Sequence, residues 1–277
     1  MIIKRASSLG FCYGVRLAHK KIIEALNKYQ RVNTLGPLIH NEREVKRLAQ
    51  LGAIPINSLD EVNAPAIVLR THGVRRDVLE SAKKLAIKEV IDATCPHVAK
   101  AQNIANRFYL DGFRVVILGE IEHPEVQSIL SYAPNAIVVS ENLQNFNFDK
   151  GIVKKVGLLS QTTQPIEKLK ILAARLVELS QELVIANTVC FATRKRQEAA
   201  RELAKEVDAI VVIGGKASSN TKKLYLSLSS YNVAVYQVEG AMDLPLDLLK
   251  YERIGITAGA STPEWIIEEV ESRLKSL

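Results

Sequence analysis

The sequence predicts an α/β protein of three similar lobes, each a small, mostly parallel sheet covered by helices, in a pseudo-threefold arrangement. Three observations predict it. Short apolar runs rich in Val and Ile alternate with longer stretches of helical periodicity, the pattern of parallel strands joined by covering helices. Cys12, Cys95 and Cys190 divide the 277 residues into stretches of similar length. The same order of elements follows each cysteine, so an internal repeat organises the chain.

The repeat sets the expected boundaries: lobe 1 at 13–95, lobe 2 at 96–190, and lobe 3 at 191–277 completed by an N-terminal strand within 1–12. In lobe 1 a helix is expected over 15–29, a strand over 32–35 leading to His40, a helix over 42–51 and a short strand over 54–56. A buried strand over 66–69 leads to His72, a helix covers 75–85, and a strand over 89–92 ends near Cys95. Lobe 2 repeats this with a helix over 98–109, a strand over 114–118 before His123, a helix over 125–131 and a strand over 136–139. A strand over 156–159 then precedes Gln161-Thr162-Thr163, followed by a helix over 166–179 and a strand over 183–186 before Cys190. Lobe 3 has a helix over 193–206, a strand over 209–213 before Ser218-Ser219-Asn220, and a helix over 221–228. Strands over 233–237 and 253–257 follow, the second leading to Ser261, and a helix over 263–274 comes last. Lobe 3 has no closing strand of its own, so residues 2–7, which lead to Cys12, are expected to supply it.

Composition excludes some classes. Hydrophobic residues at 47% and charged residues at 24% are ordinary for a globular protein, and no apolar run reaches the eighteen or so residues of a membrane span. Residues 1–5 lead straight into a strand without the apolar core of a signal peptide, so a cytoplasmic location is expected. The net charge of +7 fits plain solubility or attraction of an anionic substrate or acidic partner. Aromatics at 5% and the lack of a dense basic stripe argue against nucleic acid.

In parallel sheets, ligand groups collect beyond the carboxyl ends of strands. That rule selects three matched sets: His40, His123 and Ser218–Asn220 after the first strands; His72, Thr162 and Ser261 after the third; and the three cysteines after the last. Three thiolates meeting on an axis suit a metal. Zinc favours a fourth ligand and often CxxC pairs, which are absent, whereas a 4Fe–4S cluster held by three cysteines keeps one iron open for substrate. Ser218, Ser219 and Asn220 precede a helix and could cradle a phosphate or simply cap it. Ser261-Thr262-Pro263 repeats that device at the last helix. Glu125 fits a proton donor, or a surface carboxylate complementing a helix dipole. Thr162 and Thr163 fit a proton relay or N-caps for the helix from 166. His19 reads as a helix-face residue, and His97 has no assigned role.

Taken together the motifs resemble one family, 4-hydroxy-3-methylbut-2-enyl diphosphate reductase of the non-mevalonate isoprenoid pathway, over essentially the full chain. The resemblance rests on Gly10-Phe11-Cys12-Tyr13-Gly14-Val15, Gly36-Pro37 with His40-Asn41, His72-Gly73-Val74 and Asp92-Ala93-Thr94-Cys95-Pro96. It continues in His123-Pro124-Glu125-Val126, Ser160-Gln161-Thr162-Thr163, Cys190 with Ala192-Thr193 and Arg196-Gln197, Ser218-Ser219-Asn220-Thr221 and Thr257-Ala258-Gly259-Ala260-Ser261. It implies one central 4Fe–4S cluster on Cys12, Cys95 and Cys190, with the substrate hydroxyl at the open iron. It implies a diphosphate site of His40, His72, Ser218, Ser219, Asn220 and Ser261, with His123, Gln161 and Thr193 lining the pocket. Glu125 would supply protons and Thr162 would orient the hydroxyl, giving isopentenyl and dimethylallyl diphosphates. Ferredoxin or flavodoxin would supply electrons to a monomer. One departure is Glu122, where the family often has Gly before His-Pro-Glu.

Two rivals remain at the level of residues. A Cys-His hydrolase would leave two matched cysteines unexplained. A non-enzymatic metal or nucleic-acid binder, suggested by the basic pI, would leave Glu125 and Gln161-Thr162-Thr163 idle.

Overall fold

A computed structural model describes residues 1–149 and 151–277. The chain opens with β1 (Ile2–Arg5), α1 (Tyr13–Tyr29), β2 (Val32–Leu35), α2 (Glu42–Gln50), β3 (Ala53–Ile56), β4 (Ala66–Leu69), α3 (Arg76–Ala82) and β5 (Glu89–Asp92). The second pass is α4 (Pro96–Leu110), β6 (Arg114–Leu118), α5 (Pro124–Leu130), β7 (Ile137–Val139), β8 (Val153–Ser160), α6 (Ile166–Glu178) and β9 (Ser180–Ile185). The third is α7 (Phe191–Ala204), β10 (Ala209–Ile213), α8 (Ser219–Leu226), β11 (Ala234–Val238), β12 (Arg253–Ala258) and α9 (Glu264–Lys275).

Among the described residues these strands form three four-stranded sheets, ordered β3-β2-β4-β5, β7-β6-β8-β9 and β11-β10-β12-β1. Every pairing is parallel. The orders are the same arrangement three times, with β1 in the place of β5 and β9. Ile2 pairs with Arg253 and Arg5 with Ile256, so the start of the chain closes its last sheet.

Central strands are mostly apolar because helices cover both faces, although β2 also buries Asn33 and Thr34. All of β2, β4 and β10 is buried, while the edge strands β1 and β9 are exposed at most positions. In the last sheet, Val211, Ile213, Ile254 and Ile256 pack on one face with Ile266, Ile267 and Val270 of α9. Ile210 and Val212 pack on the other with Ala200 and Leu203 of α7 and Leu224 of α8. Gly157 of β8 and Gly255 of β12 occupy the same register, three residues before the strand end. A Cβ on Gly157 would lie 2.5 Å from the Phe108 ring, and one on Gly255 2.8 Å from Leu203, so glycine lets a helix settle on the strand.

Several boundaries differ from the sequence reading. Helices α1, α4 and α7 begin at the residue directly after Cys12, Cys95 and Cys190, earlier than the apolar period suggests. Helix α3 ends at Ala82, where the Lys83 and Lys84 amides turn back onto Leu79 and Ser81. Strand β8 starts at Val153, where Val153 pairs with Ser180. Short 3-10 turns at Leu59–Glu61, Leu143–Asn145, Ala241–Asp243 and Leu246–Lys250 carry no apolar periodicity.

No helix among the described residues is long and apolar enough to cross a membrane. The chain forms two compact units. The first comprises Met1–His19, Ile39–Gly52 and Phe191–Leu277, and holds the sheet closed by β1. The second comprises Lys20–Leu38 and Ala53–Cys190, and holds the other two sheets.

Candidate active site

Each cysteine is seated by the same backbone device. The Cys95 N–H donates to Thr71 O at 2.9 Å, the Cys190 N–H to Thr162 O at 2.8 Å and the Cys12 N–H to Ala260 O at 3.0 Å. Each acceptor lies two residues beyond the third strand of its repeat, β4, β8 or β12. This register makes His72, Thr163 and Ser261 the equivalent residues, so the matched set of His72, Thr162 and Ser261 is out of step by one position at Thr162. Each cysteine also directly precedes a helix, whose positive end favours a charged sulfur.

In the first unit, the turn before Cys12 is fixed from α7. Buried Arg196 donates through Nε and Nη2 to Gly10 O at 3.2 and 2.7 Å, and Gly10 takes a left-handed φ of 73°. His40 precedes Asn41, the N-cap of α2, whose Oδ1 accepts from the Glu44 N–H at 3.0 Å. The Ser261 hydroxyl donates to His40 O at 3.0 Å, which brings two of the expected anion ligands together. A Cβ on Gly215 would lie 3.2 Å from that same carbonyl, a tight contact that would press on it.

Ser218 is the N-cap of α8, accepting from the Thr221 N–H at 3.3 Å, and Ser219 accepts from Lys223 Nζ at 2.8 Å. The cap expected of this turn is therefore present. The Asn220 Nδ2 amide is buried with no hydrogen-bond partner among the described residues, a donor that an anion would satisfy. Thr193, in the first turn of α7, is buried as well. The capping expected of Ser261 and Thr262 is not what forms: Pro263 is the N-cap of α9, and the Thr262 hydroxyl donates to Ile213 O at 3.0 Å.

In the second unit, Glu125 is only 2% exposed, so it is not a surface carboxylate. Its Oε1 accepts from the Thr162 N–H at 2.5 Å and its Oε2 from Thr162 Oγ1 at 2.9 Å. Thr162 is therefore not a cap for α6, whose N-cap is Pro165 without a side-chain bond. Since the Thr162 carbonyl accepts from the Cys190 N–H, one residue ties the carboxylate to the thiol loop. The Thr188 hydroxyl pins that loop to the Ser160 carbonyl at 2.6 Å.

His123 Nδ1 accepts from the Glu125 N–H at 3.1 Å, which leaves the proton of a neutral ring on Nε2. The His72 and His123 rings meet edge to face, with centroids 5.6 Å apart. Gly73 supports this pair at a φ of 74°, where a Cβ would lie 2.6 Å from Gln102 Nε2 and 2.7 Å from Ser128 Oγ. Gln161 is fully buried and knits its own loop, accepting from the Glu120 N–H and from Gln164 Nε2 while donating to Thr163 Oγ1. His97 is exposed.

Among the described residues, no group of three or more His, Cys, Asp or Glu side chains closes on a single metal ion. A cubane cluster asks for something else, one thiolate per iron rather than several donors on one ion. Each of the three cysteines is half-buried, held by the same kind of backbone anchor and followed by a helix, and so could supply one such thiolate.

A residue that sequence reasoning missed is Glu44. It is fully buried and bonded to His19, Arg47 and Trp265. Burial alone would raise its pKa, but these three hydrogen bonds and the Arg47 charge outweigh it and hold the carboxyl down at about 2. Its only sequence signal was a charged residue on the apolar side of α2.

A family model described as LytB protein matches residues 3–275. The 4-hydroxy-3-methylbut-2-enyl diphosphate reductase of Geobacter sulfurreducens is 40% identical over 277 residues, covering 99% of this chain and 97% of the relative. That of Helicobacter pylori is 41% identical over 281 residues, covering 100% of both. Among solved structures, an (E)-4-hydroxy-3-methyl-but-2-enyl diphosphate reductase is similar with a TM-score of 0.74 and 37% identity, over 100% of both chains. The E-1-hydroxy-2-methyl-but-2-enyl-4-diphosphate reductase of Plasmodium falciparum is similar with a TM-score of 0.87 and 28% identity, over 100% of this chain and 87% of that one.

Proposed function

The chain belongs to the LytB protein family, and on that premise we propose that it is a 4-hydroxy-3-methylbut-2-enyl diphosphate reductase that removes the allylic hydroxyl as water. Two electrons and two protons balance the reaction, and the products are isopentenyl and dimethylallyl diphosphates. Cys12, Cys95 and Cys190 would hold one 4Fe–4S cluster. Bound there, the cluster supplies the electrons and a Lewis-acidic iron without a protein ligand. Ferredoxin or flavodoxin is the proposed donor of those electrons.

The diphosphate is assigned to His40, His72, Ser218, Ser219, Asn220 and Ser261. The buried, unsatisfied Asn220 amide at the start of α8 supports this assignment, because an anion would supply the acceptor it lacks. His123 lines the pocket, and the remaining first-turn residue there, Thr193, shapes its wall.

Proton delivery falls to Glu125 and Thr162. The Thr162 hydroxyl now donates to Glu125 Oε2. Once Oε2 carries a proton, the bond can reverse, so that Thr162 Oγ1 accepts from the carboxyl and passes its own hydrogen to the departing hydroxyl. The Thr162 hydroxyl bonded directly to the carboxyl keeps that path short, and burial of the carboxyl excludes water from it. The Glu125–Thr162 pair is the observation that carries the reading.

Glu125→Gln tests it, since the amide keeps the shape but has no transferable proton. The variant is expected to take up iron and bind inorganic pyrophosphate as the wild type does, while kcat falls about a hundredfold or more. Wild-type turnover would remove Glu125 from the mechanism. A wild-type protein that takes up no iron after anaerobic reconstitution would overturn the cluster itself.

A further inference from the structure

Helix α2 joins two strands of the second unit yet belongs to the first, and Glu44 shows why. Its carboxylate is fully buried and accepts from four N–H donors on three helices. Trp265 Nε1 of α9 donates to Oε2 at 2.7 Å. Arg47 of α2 donates from Nη2 to Oε1 at 2.8 Å and from Nε to Oε2 at 3.0 Å. His19 Nε2 of α1 meets Oε1 at 3.0 Å. Arg43 reinforces the joint, lying 4.8 Å from the Trp265 ring centroid and pairing with Glu269 at 2.7 Å. A carboxylate offers about four acceptor positions, so this one is saturated.

Each of the three helices it joins starts near a proposed ligand residue. Helix α1 begins after Cys12, α2 shortly after His40 and α9 shortly after Ser261. His40 and Ser261 meet through a hydroxyl-to-carbonyl bond at the same end of those helices. An ångström of misplacement at such ligands weakens a binding site severely.

We propose that Glu44 is a positioning residue that holds His40 and Ser261 in register for the diphosphate, and so sets substrate affinity without touching substrate. This rests on the diphosphate reading given above. Neutralising the carboxylate leaves cationic and indole donors unsatisfied inside the joint, and α2 shifts relative to α9.

The experiment compares Glu44→Gln with wild type as anaerobically iron-loaded full-length protein, and also measures inorganic pyrophosphate binding to unloaded protein by calorimetry. Trp265 is the single tryptophan, so its emission reports whether the joint has changed. KM and the pyrophosphate Kd are expected to rise about tenfold, with kcat within about threefold of wild type and iron content unchanged. An altered Trp265 emission with wild-type KM and Kd would overturn the proposal. Trp265→Phe, which keeps most of the packing and removes one donor, decides the matter if Glu44→Gln does not fold. It is expected to raise KM about two- to fourfold, and a wild-type KM in that variant counts against the proposal. A wild-type protein that binds no pyrophosphate sinks the diphosphate reading, and this inference with it.

Discussion

Glu125 shows how burial changes the meaning of a residue. In the sequence it opens a helix after Pro124, where a carboxylate commonly faces water. In the structure it is enclosed, and its partner Thr162 is 37 residues away, a separation no local pattern encodes. The cysteines, His72 and Asn220 could be singled out in the sequence because each follows a strand; Glu44 could not, because its importance lies in contacts between distant helices. Glycine is equally specific at 259. A Cβ there would collide with the buried Thr221 side chain, which packs against the strand exit at the start of α8. Gly259→Ala is expected to lower stability by about 1–3 kcal/mol through overpacking, read from the midpoint of urea unfolding. An unchanged midpoint would mean that α8 yields without cost.

At the scale of elements, the sequence located every strand and misjudged where helices begin. Val15, Val98 and Thr193 are the first buried positions of α1, α4 and α7 that carry a side chain, and a periodicity argument starts counting there. The residues between them and the cysteines include the exposed Tyr13 and Phe191, which carry no apolar rhythm. Helix α2 makes the reverse point, because its buried Glu44 sits where the period expects an apolar residue. The Glu44 carboxyl, held at about 2 against an ordinary 4.5, ties α2 to acid stability. The unfolded chain takes up that proton first, so the stabilisation is complete above about pH 4.5 and is lost as pH falls towards 2. It amounts to about 3 kcal/mol for a shift of this size. Urea midpoints measured between pH 5.5 and 2.5 should fall more steeply for wild type than for Glu44→Gln. Parallel slopes would assign the acid sensitivity to other carboxylates.

For the whole molecule, the threefold recurrence of one order of elements was visible in the sequence, because each pass repeats the same succession of strands and helices. The split of the chain into two units was not, since it groups α2 with the last sheet and so departs from the repeat. Removing residues 1–6 should expose β12 as an edge and break the Arg5 pairs with Glu264 and Glu271. Amide exchange over 253–258 is then expected to quicken while 114–118 keeps its protection; equal protection in both would show that β1 contributes nothing to the last sheet. The pairing of β1 with β12 also orders events during synthesis. The two strands lie about 250 residues apart in the chain, and at ribosomal rates of roughly 5–20 residues per second β1 waits on the order of 10–50 s for its neighbour. Cys12 waits with it, because the carbonyl that seats it, Ala260, is made later still. A nascent chain therefore has Cys95 and Cys190 in place well before Cys12, and iron delivered during translation would meet an incomplete set of thiols.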